Sequence, residues 1–364
     1  MRHHFKFSLV NFAALLGFCA VLLGYTAQSS AAEEKQKFRI AWTIYVGWMP
    51  WDYADESGIM KKWADKYGIE VEVVQINDYV ESINQYTAGA FDGCVMTNMD
   101  ALTIPAAGGV DSTALIVGDF SNGNDGIILK GKSDLAAIKG QKVNLVELSV
   151  SHYLLARGLA SIGASERDLT VVNTSDADLV AAAAAADTTA IVTWNPQLSE
   201  ILKMPEMHKV FDSSQIPGEI IDLLVVNSET LKANPKLGQA LVGAWYEVMT
   251  LIAKDNAAGT AARTAMATAA GTDLACFEAQ LNTTKMFYTP KDAVEFTKSQ
   301  ALPETMRKVA EFSFAHGLLG EGAPSAEFIG VETAAGVIGD KANIKLRFDP
   351  SYMQAAHDQH EASL

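Results

Sequence analysis

Apolar and polar positions alternate from Phe38, so that Phe38, Ile40, Trp42 and Ile44 share one face of a predicted strand. The spacing then turns helical: Ile59, Met60, Trp63 and Tyr67 make one stripe, closed by Gly68. A strand is predicted over 69–74, a helix over 79–88 and a strand over 93–96. Such a βαβαβ order predicts a parallel sheet with right-handed crossovers, whose ligands gather at the carboxyl ends of the strands. The turn-rich segment 118–126 reads as a crossing into a second unit. That unit repeats the plan, with strands over 142–146, 170–172 and 189–193 and helices over 151–163 and 176–186. The six alanines from Ala181 suit a small-faced helix. The apolar run 221–226 returns the chain to the first unit, 235–254 and 257–270 read as helices, and the remainder reads as mostly helical up to a strand over 345–348. The division is therefore 33–118 for the first part of lobe 1, 119–222 for lobe 2, and 223–364 for the rest of lobe 1 with a C-terminal tail.

Composition adds an address and an exclusion. In 364 residues, 49% hydrophobic and 20% charged, there is enough apolar material for a sizeable core. Arg2, His3, His4 and Lys6 precede an apolar run over 7–23 and a small-residue exit over 28–32. A basic head, apolar middle and small exit make a secretory signal over 1–32, cleaved near Ala31 or Ala32 and directing the chain to the periplasm. The competing reading is an uncleaved anchor, for which the apolar run is short. Phe18 stands where a lipoprotein signal would place a small residue before Cys19. Beyond the leader, Cys94 and Cys276 could bridge in an exported protein but read as free thiols. The formal net charge of −15 repels phosphate backbones and excludes nucleic acid as a partner.

The order of units, with lobe 1 interrupted by lobe 2 and then resumed, resembles a periplasmic solute-binding protein of an ABC importer. Residues 69–92 and 227–235 are similar to the nitrate, sulfonate and taurine branch. The segments 44–51, 97–102, 121–126, 146–153, 193–197 (Thr193-Trp194-Asn195-Pro196-Gln197) and 217–222 resemble the binding proteins associated with urea carboxylase, a group connected with guanidine use. The likeness covers essentially the whole chain after the leader. It implies an α/β, bilobal periplasmic-binding-protein fold of type II: two lobes, each with a mainly parallel sheet flanked by helices, joined by two hinge crossings. It also implies a monomer that takes a small-molecule ligand, needs no cofactor or metal, and delivers its cargo to an ABC permease in the inner membrane.

The departure from anion-binding relatives carries the chemistry. Nitrate and sulfonate call for positive or donor-rich sites, yet 41–53, 97–129 and 143–156 contain no Lys or Arg; they and the second crossing hold Asp52, Asp100, Asp119, Asp125, Glu147, Glu219 and Asp222. A guanidinium ion is flat and permanently charged, its N–H edges match carboxylates and its faces stack on rings. Tyr45, Trp48, Trp51 and Trp194 offer faces; Asp100, Glu147 and Asp222 offer edges. Urea has the same outline but also needs a donor for its oxygen, which Asn98, Ser149 or Asn195 could supply. Asn122 and Glu219, at the two crossings, complete the ligand-binding set.

Each candidate has a plainer reading. Trp48 and Trp51 suit core packing as well as a cleft. Asp100 and Ser149 suit helix caps, Asp119 and Asp125 suit turn formation, and Glu219 or Asp222 could pin the hinge. Glu147, ending a strand before a helix, is expected to touch ligand. No HExxH, GxSxG, CxxC, Walker or GxGxxG pattern occurs in a plausible context. His152 reads as structural, and His357 with His360 as a weak, solvated pair. An enzyme reading would have to borrow from thiamine-pyrimidine synthases of the same fold. The expectation is thus a non-catalytic receptor for guanidinium, with urea, a short amide, sulfonate or nitrate as alternatives.

Overall fold

The computed structural model describes residues 35–361; the predicted leader and Cys19 lie outside the described residues. The chain first lays down β1 (Lys37–Trp42), β2 (Glu70–Gln75), β3 (Gly93–Thr97) and β4 (Ser112–Ser121). It continues with β5 (Asp125–Lys130), β6 (Lys142–Leu145), β7 (Thr170–Asn173), β8 (Ala190–Trp194) and β9 (Met207–Asp212). It ends with β10 (Ile221–Asn227), β11 (Thr284–Met286), β12 (Gly330–Thr333), β13 (Gly336–Ile338) and β14 (Ile344–Phe348). The first and last groups form a nine-stranded sheet in the order β13-β12-β14-β4-β10-β3-β1-β2, with β11 on β4. The middle group forms a five-stranded sheet in the order β7-β6-β8-β5-β9.

The alternation of strand and helix sets β1 parallel to β2 and β3, and β6 parallel to β7 and β8. At the margins β11 opposes β4 and β13 opposes β12, and within the sheets two strands run against both of their neighbours: β10 between β3 and β4, and β5 between β8 and β9. These are the strands that receive the chain from the other sheet. The two connections are stitched together, since the Ser213 hydroxyl lies 2.6 Å from that of Ser121 and accepts from the N–H of Gly123 at 2.8 Å.

Three local expectations change. The segment 118–126 is mostly strand: β4 runs through Ser121, β5 starts at Asp125, and only 122–124 turn. The stretch after Tyr45 is a helix, Met49–Glu56, because Pro50 presets its first turn and Asp52 complements the helix amino terminus. Between 270 and 345, β11, β12 and β13 are only three or four residues long. Runs that short show no readable period of two.

The core lies on both faces of the nine-stranded sheet, and β3 is buried throughout. The long Pro235–Ile252 helix brings Trp245 onto Trp51, ring centroids 5.1 Å apart and planes 30° apart. Cys94 is buried and Cys276 half-buried, both free thiols. Burial pushes the Cys94 thiol up to about 12, so it stays protonated. No helix among the described residues is long and apolar enough to cross a membrane.

Candidate functional site

At the carboxyl ends of the parallel strands, between the two sheets, a cavity of about 20 Å³ is walled by four aromatic rings. Tyr45 and Trp48 follow β1, Tyr79 follows β2 as the first residue of the Tyr79–Thr87 helix, and Trp194 ends β8. Their rings form a continuous arc. Tyr45 meets Trp48 edge-on at 4.9 Å, Trp48 lies tilted at 5.6 Å from Tyr79, and Tyr79 meets Trp194 edge-on at 5.7 Å. All four rings are buried. Val150, Ile220 and Thr97 fill the gaps in the wall.

Acid groups complete the lining. Asp222 on β10 stands opposite Asp119 on β4 and Thr97 on β3 in the strand register. Asp125 stands opposite Trp194, so these two share one face of the five-stranded sheet. Asp125 accepts from the Ser121 hydroxyl at 2.5 Å. The Tyr45 hydroxyl donates to Asp119 at 3.3 Å. Asp119 and Asp222 are both buried, and Asp119 Oδ2 has no hydrogen-bond partner among the described residues. Burial drives both upward, the charge of Asp119 drives Asp222 higher still, and the titration belongs to the pair. Burial pushes Asp125 up to about 7 against the Ser121 hydrogen bond.

Asp100 lies one layer back. Its Oδ2 accepts from the Tyr79 hydroxyl at 2.7 Å and from Thr97 Oγ1 at 2.8 Å, while the Tyr79 oxygen accepts from the N–H of Thr97 at 3.0 Å. The N–H of Val150, at the start of the Val150–Ser161 helix, also stabilises the Asp100 carboxylate. Burial outweighs these bonds and lifts Asp100 to about 6. Asp100 thereby orients Tyr79 and links a residue of one sheet system to a helix of the other.

Of the sequence-predicted residues, Tyr45, Trp48, Trp194 and Asp222 line the cavity, with Asp100 behind Tyr79. Six lie elsewhere. Trp51 is turned by the helix onto Trp245 and belongs to the core. Glu147 is exposed: Leu148 takes a left-handed φ of 64°, and the turn brings Val150, three residues on, to the cavity. Asn122 is exposed at the turn between the sheets. Ser149 caps its helix, accepting from the N–H of Ser151 at 3.2 Å. Asn195 accepts from the N–H and hydroxyl of Ser199 and donates to Thr283. Glu219 is fully engaged by Arg157 at 2.8 and 3.1 Å, Lys308 at 2.8 Å and the Tyr153 hydroxyl at 2.7 Å. Burial raises its pKa, but those partners together hold it below the usual carboxylate value. Asn98 is likewise occupied, by the carbonyl of Glu219 and the N–H of Ile221.

Sequence reasoning undervalued Asp119 and Asp125, and it passed over Tyr79. Their buried strand positions remove the turn reading for both aspartates. Tyr79 carries a usable signal, since it opens a helix directly after a strand of the parallel set.

The described lining of the cavity contains no Lys, Arg or His. A small, ring-walled space with several carboxylates can stabilise a compact cation, or a neutral molecule rich in N–H donors.

The fold has solved counterparts. The alkanesulfonate-binding protein SsuA of Xanthomonas axonopodis pv. citri, bound to MOPS, superposes with a TM-score of 0.65 at 18% identity, covering 80% of this chain and 96% of that one. The periplasmic aliphatic sulphonate-binding protein SsuA of Escherichia coli gives 0.64 at 17% identity, covering 79% and 94%. The periplasmic nitrate-binding protein NrtA of Synechocystis PCC 6803 gives 0.55 at 14% identity, covering 89% and 98%. These likenesses establish the periplasmic-binding-protein fold. No curated protein matches the chain in sequence. Residues 59–258, more than half of the chain, match the family described as NMT1/THI5 like, and the chain belongs to that family.

Proposed function

We propose that this protein is the periplasmic receptor of an ABC importer and that its cargo is a small, flat, nitrogen-rich cation of the guanidinium type. Two lobes, one on each sheet, close on the cargo and present it to an inner-membrane permease, the receptor acting as a monomer. A ligand favours closure only through its differential affinity for the closed form. Tyr45, Trp48, Tyr79 and Asp222 from one side, with Trp194 and Asp125 from the other, offer that difference.

The observation that carries this reading is the coincidence of an aromatic box with buried carboxylates and no basic group in the described lining. An oxyanion would be repelled there. Urea is the second reading, favoured by one feature: the buried indole N–H of Trp48 has no acceptor among the described residues. Guanidinium cannot accept that bond, whereas a carbonyl oxygen can.

The test is a calorimetric and thermal-shift panel of guanidinium, urea, taurine and nitrate at equal low concentration. A native-state ligand raises Tm as RT ln(1 + [L]/Kd). Guanidinium is expected to bind most tightly. Preferential binding of taurine or nitrate would refute the cargo assignment, and turnover of any of the four without a permease would refute the receptor role.

A further inference from the structure

Away from this cavity, His152, Glu166 and His316 bring three ligand atoms within 4.8 Å of one another. They come from three separate places in the fold: the Val150–Ser161 helix, the short turn Glu166–Asp168 before β7, and the residue closing the Ala301–Ala315 helix. His152 Nε2 lies 3.1 Å from one Glu166 oxygen and His316 Nε2 lies 2.8 Å from the other. We propose that this cluster is a binding site for one divalent transition-metal ion of the zinc type, tying the five-stranded half of the molecule to the Ala301–Ala315 helix.

Six observations support it. The donor set, two imidazoles and one carboxylate, is the borderline-soft set that zinc selects, and three protein ligands leave a fourth position for water. Bonds of about 2.0 Å in a tetrahedron set ligand atoms about 3.3 Å apart; the three ligand atoms here, one from each residue, lie within 4.8 Å of one another, so a small convergence closes the site. His152 is 3% exposed, and its Nε2 makes no aligned hydrogen bond among the described residues although it points at the cluster. His316 is already oriented from behind, because its Nδ1–H donates to the carbonyl of Phe312 at 2.8 Å and leaves Nε2 as the ligating atom. The Phe312 ring, 4.0 Å from His316 and 6.0 Å from His152, forms an apolar wall. Glu166 and His316 are only half-buried, so an ion can enter from solvent.

One bond must yield. His152 Nδ1 accepts from the N–H of Leu148 at 3.1 Å, and an ion on Nε2 moves the ring proton to Nδ1. Leu148 holds its left-handed φ at that contact, so the loop that must shift is one already strained. Its amide is the natural reporter of metal binding.

The experiment uses the untagged chain, stripped with chelator and then titrated with Zn²⁺ alone. Calorimetry and elemental analysis should give one ion per chain, and Co²⁺ should give the visible bands of a low-symmetry site. Glu166→Gln and His316→Ala should each weaken Zn²⁺ binding at least tenfold, with unchanged circular dichroism. His357→Ala should leave binding intact. The absence of saturable one-to-one binding, or undiminished binding in both cluster variants, overturns the proposal. So does loss of the ion in His357→Ala, which would move the site to the C-terminal segment.

Discussion

Asp119 and Asp222 face each other directly across β4 and β10, although both are buried and both are acids. Like charges opposed in an antiparallel pair destabilise a sheet. The pair is tolerable only with a proton held between the two groups, or with a cation in its place. If the proposed receptor takes a cation at this pair, it must exchange a proton for it.

Affinity for a cation should therefore rise with pH. The carboxyls of the cavity sit above their ordinary range, Asp125 at about 7, chiefly because they are buried. For each proton the ligand expels, Kd should fall about tenfold per pH unit between about 5 and 7, then level off. The stability of the ligand-free protein should move oppositely. These groups have folded pKa values above the unfolded value of about 3.9. Their contribution is complete below about 4 and is lost as pH rises through 7. Calorimetry in buffers of different ionisation enthalpy counts the protons released; a pH-independent Kd would remove the exchange, and a neutral ligand such as urea should release none.

Asp222→Asn should separate stability from binding. The amide fits the same space, donates to Asp119 and ends the repulsion, so the ligand-free variant should unfold at a higher temperature than the parent at pH 8. Loss of a buried charge that pairs with the cargo costs about 2–5 kcal/mol, or a Kd raised at least about thirtyfold. Thermal unfolding and calorimetry on one preparation check both signs. A variant that binds guanidinium as the parent does would place the cargo elsewhere.

Gly47 is fixed by close approach rather than by a left-handed turn. A Cβ there would stand 2.5 Å from Tyr45 Cε1 and 2.6 Å from Asp119 Oδ2. Neither neighbour can yield freely, since both are buried and bonded to each other. Gly47→Ala should displace the Tyr45 ring and weaken binding at least about tenfold, equivalent to 1.4 kcal/mol. Unchanged affinity would show that Tyr45 does not touch the cargo.

Much of this architecture is written in the periodicity. The 3.6-to-2.0 alternation marks β1 to β3 and β8, and the short β6 and β7 are marked by their apolar, β-branched residues and by the helices that flank them. The site was legible in kind more than in detail. Of the residues singled out in the sequence, Tyr45, Trp48, Trp194 and Asp222 line the proposed cavity, each lying at or just beyond a strand end of the crossing or parallel set. Asp119 and Asp125 were obscured because Gly, Asn and Ser around them mimic a turn, while the backbone runs extended through both. Glu147 failed through the opposite effect: the left-handed Leu148, invisible in a sequence, turns the chain so that Val150 reaches the cavity instead.

Two tryptophans three residues apart give the sharpest separation of site from core. Trp48 borders the cavity with an unpaired N–H, whereas Trp51 is 1% exposed and stacked on Trp245. Trp51→Ala should cost about 3–5 kcal/mol of stability, the usual price of emptying a buried aromatic position, while the folded fraction binds as before. Trp48→Ala, which also empties a buried position, should cost stability too, but in addition it removes a ring worth about 0.5–2 kcal/mol against a cation, raising the Kd of the folded fraction roughly threefold to thirtyfold. The exposed Glu147 supplies the control, since Glu147→Gln should change Kd by less than about twofold and Tm negligibly. Urea denaturation would interfere with a urea-binding protein, so stability is best read by heat and affinity by calorimetry. If Trp51→Ala abolished binding in protein that remained folded, the cavity assigned here would have the wrong wall.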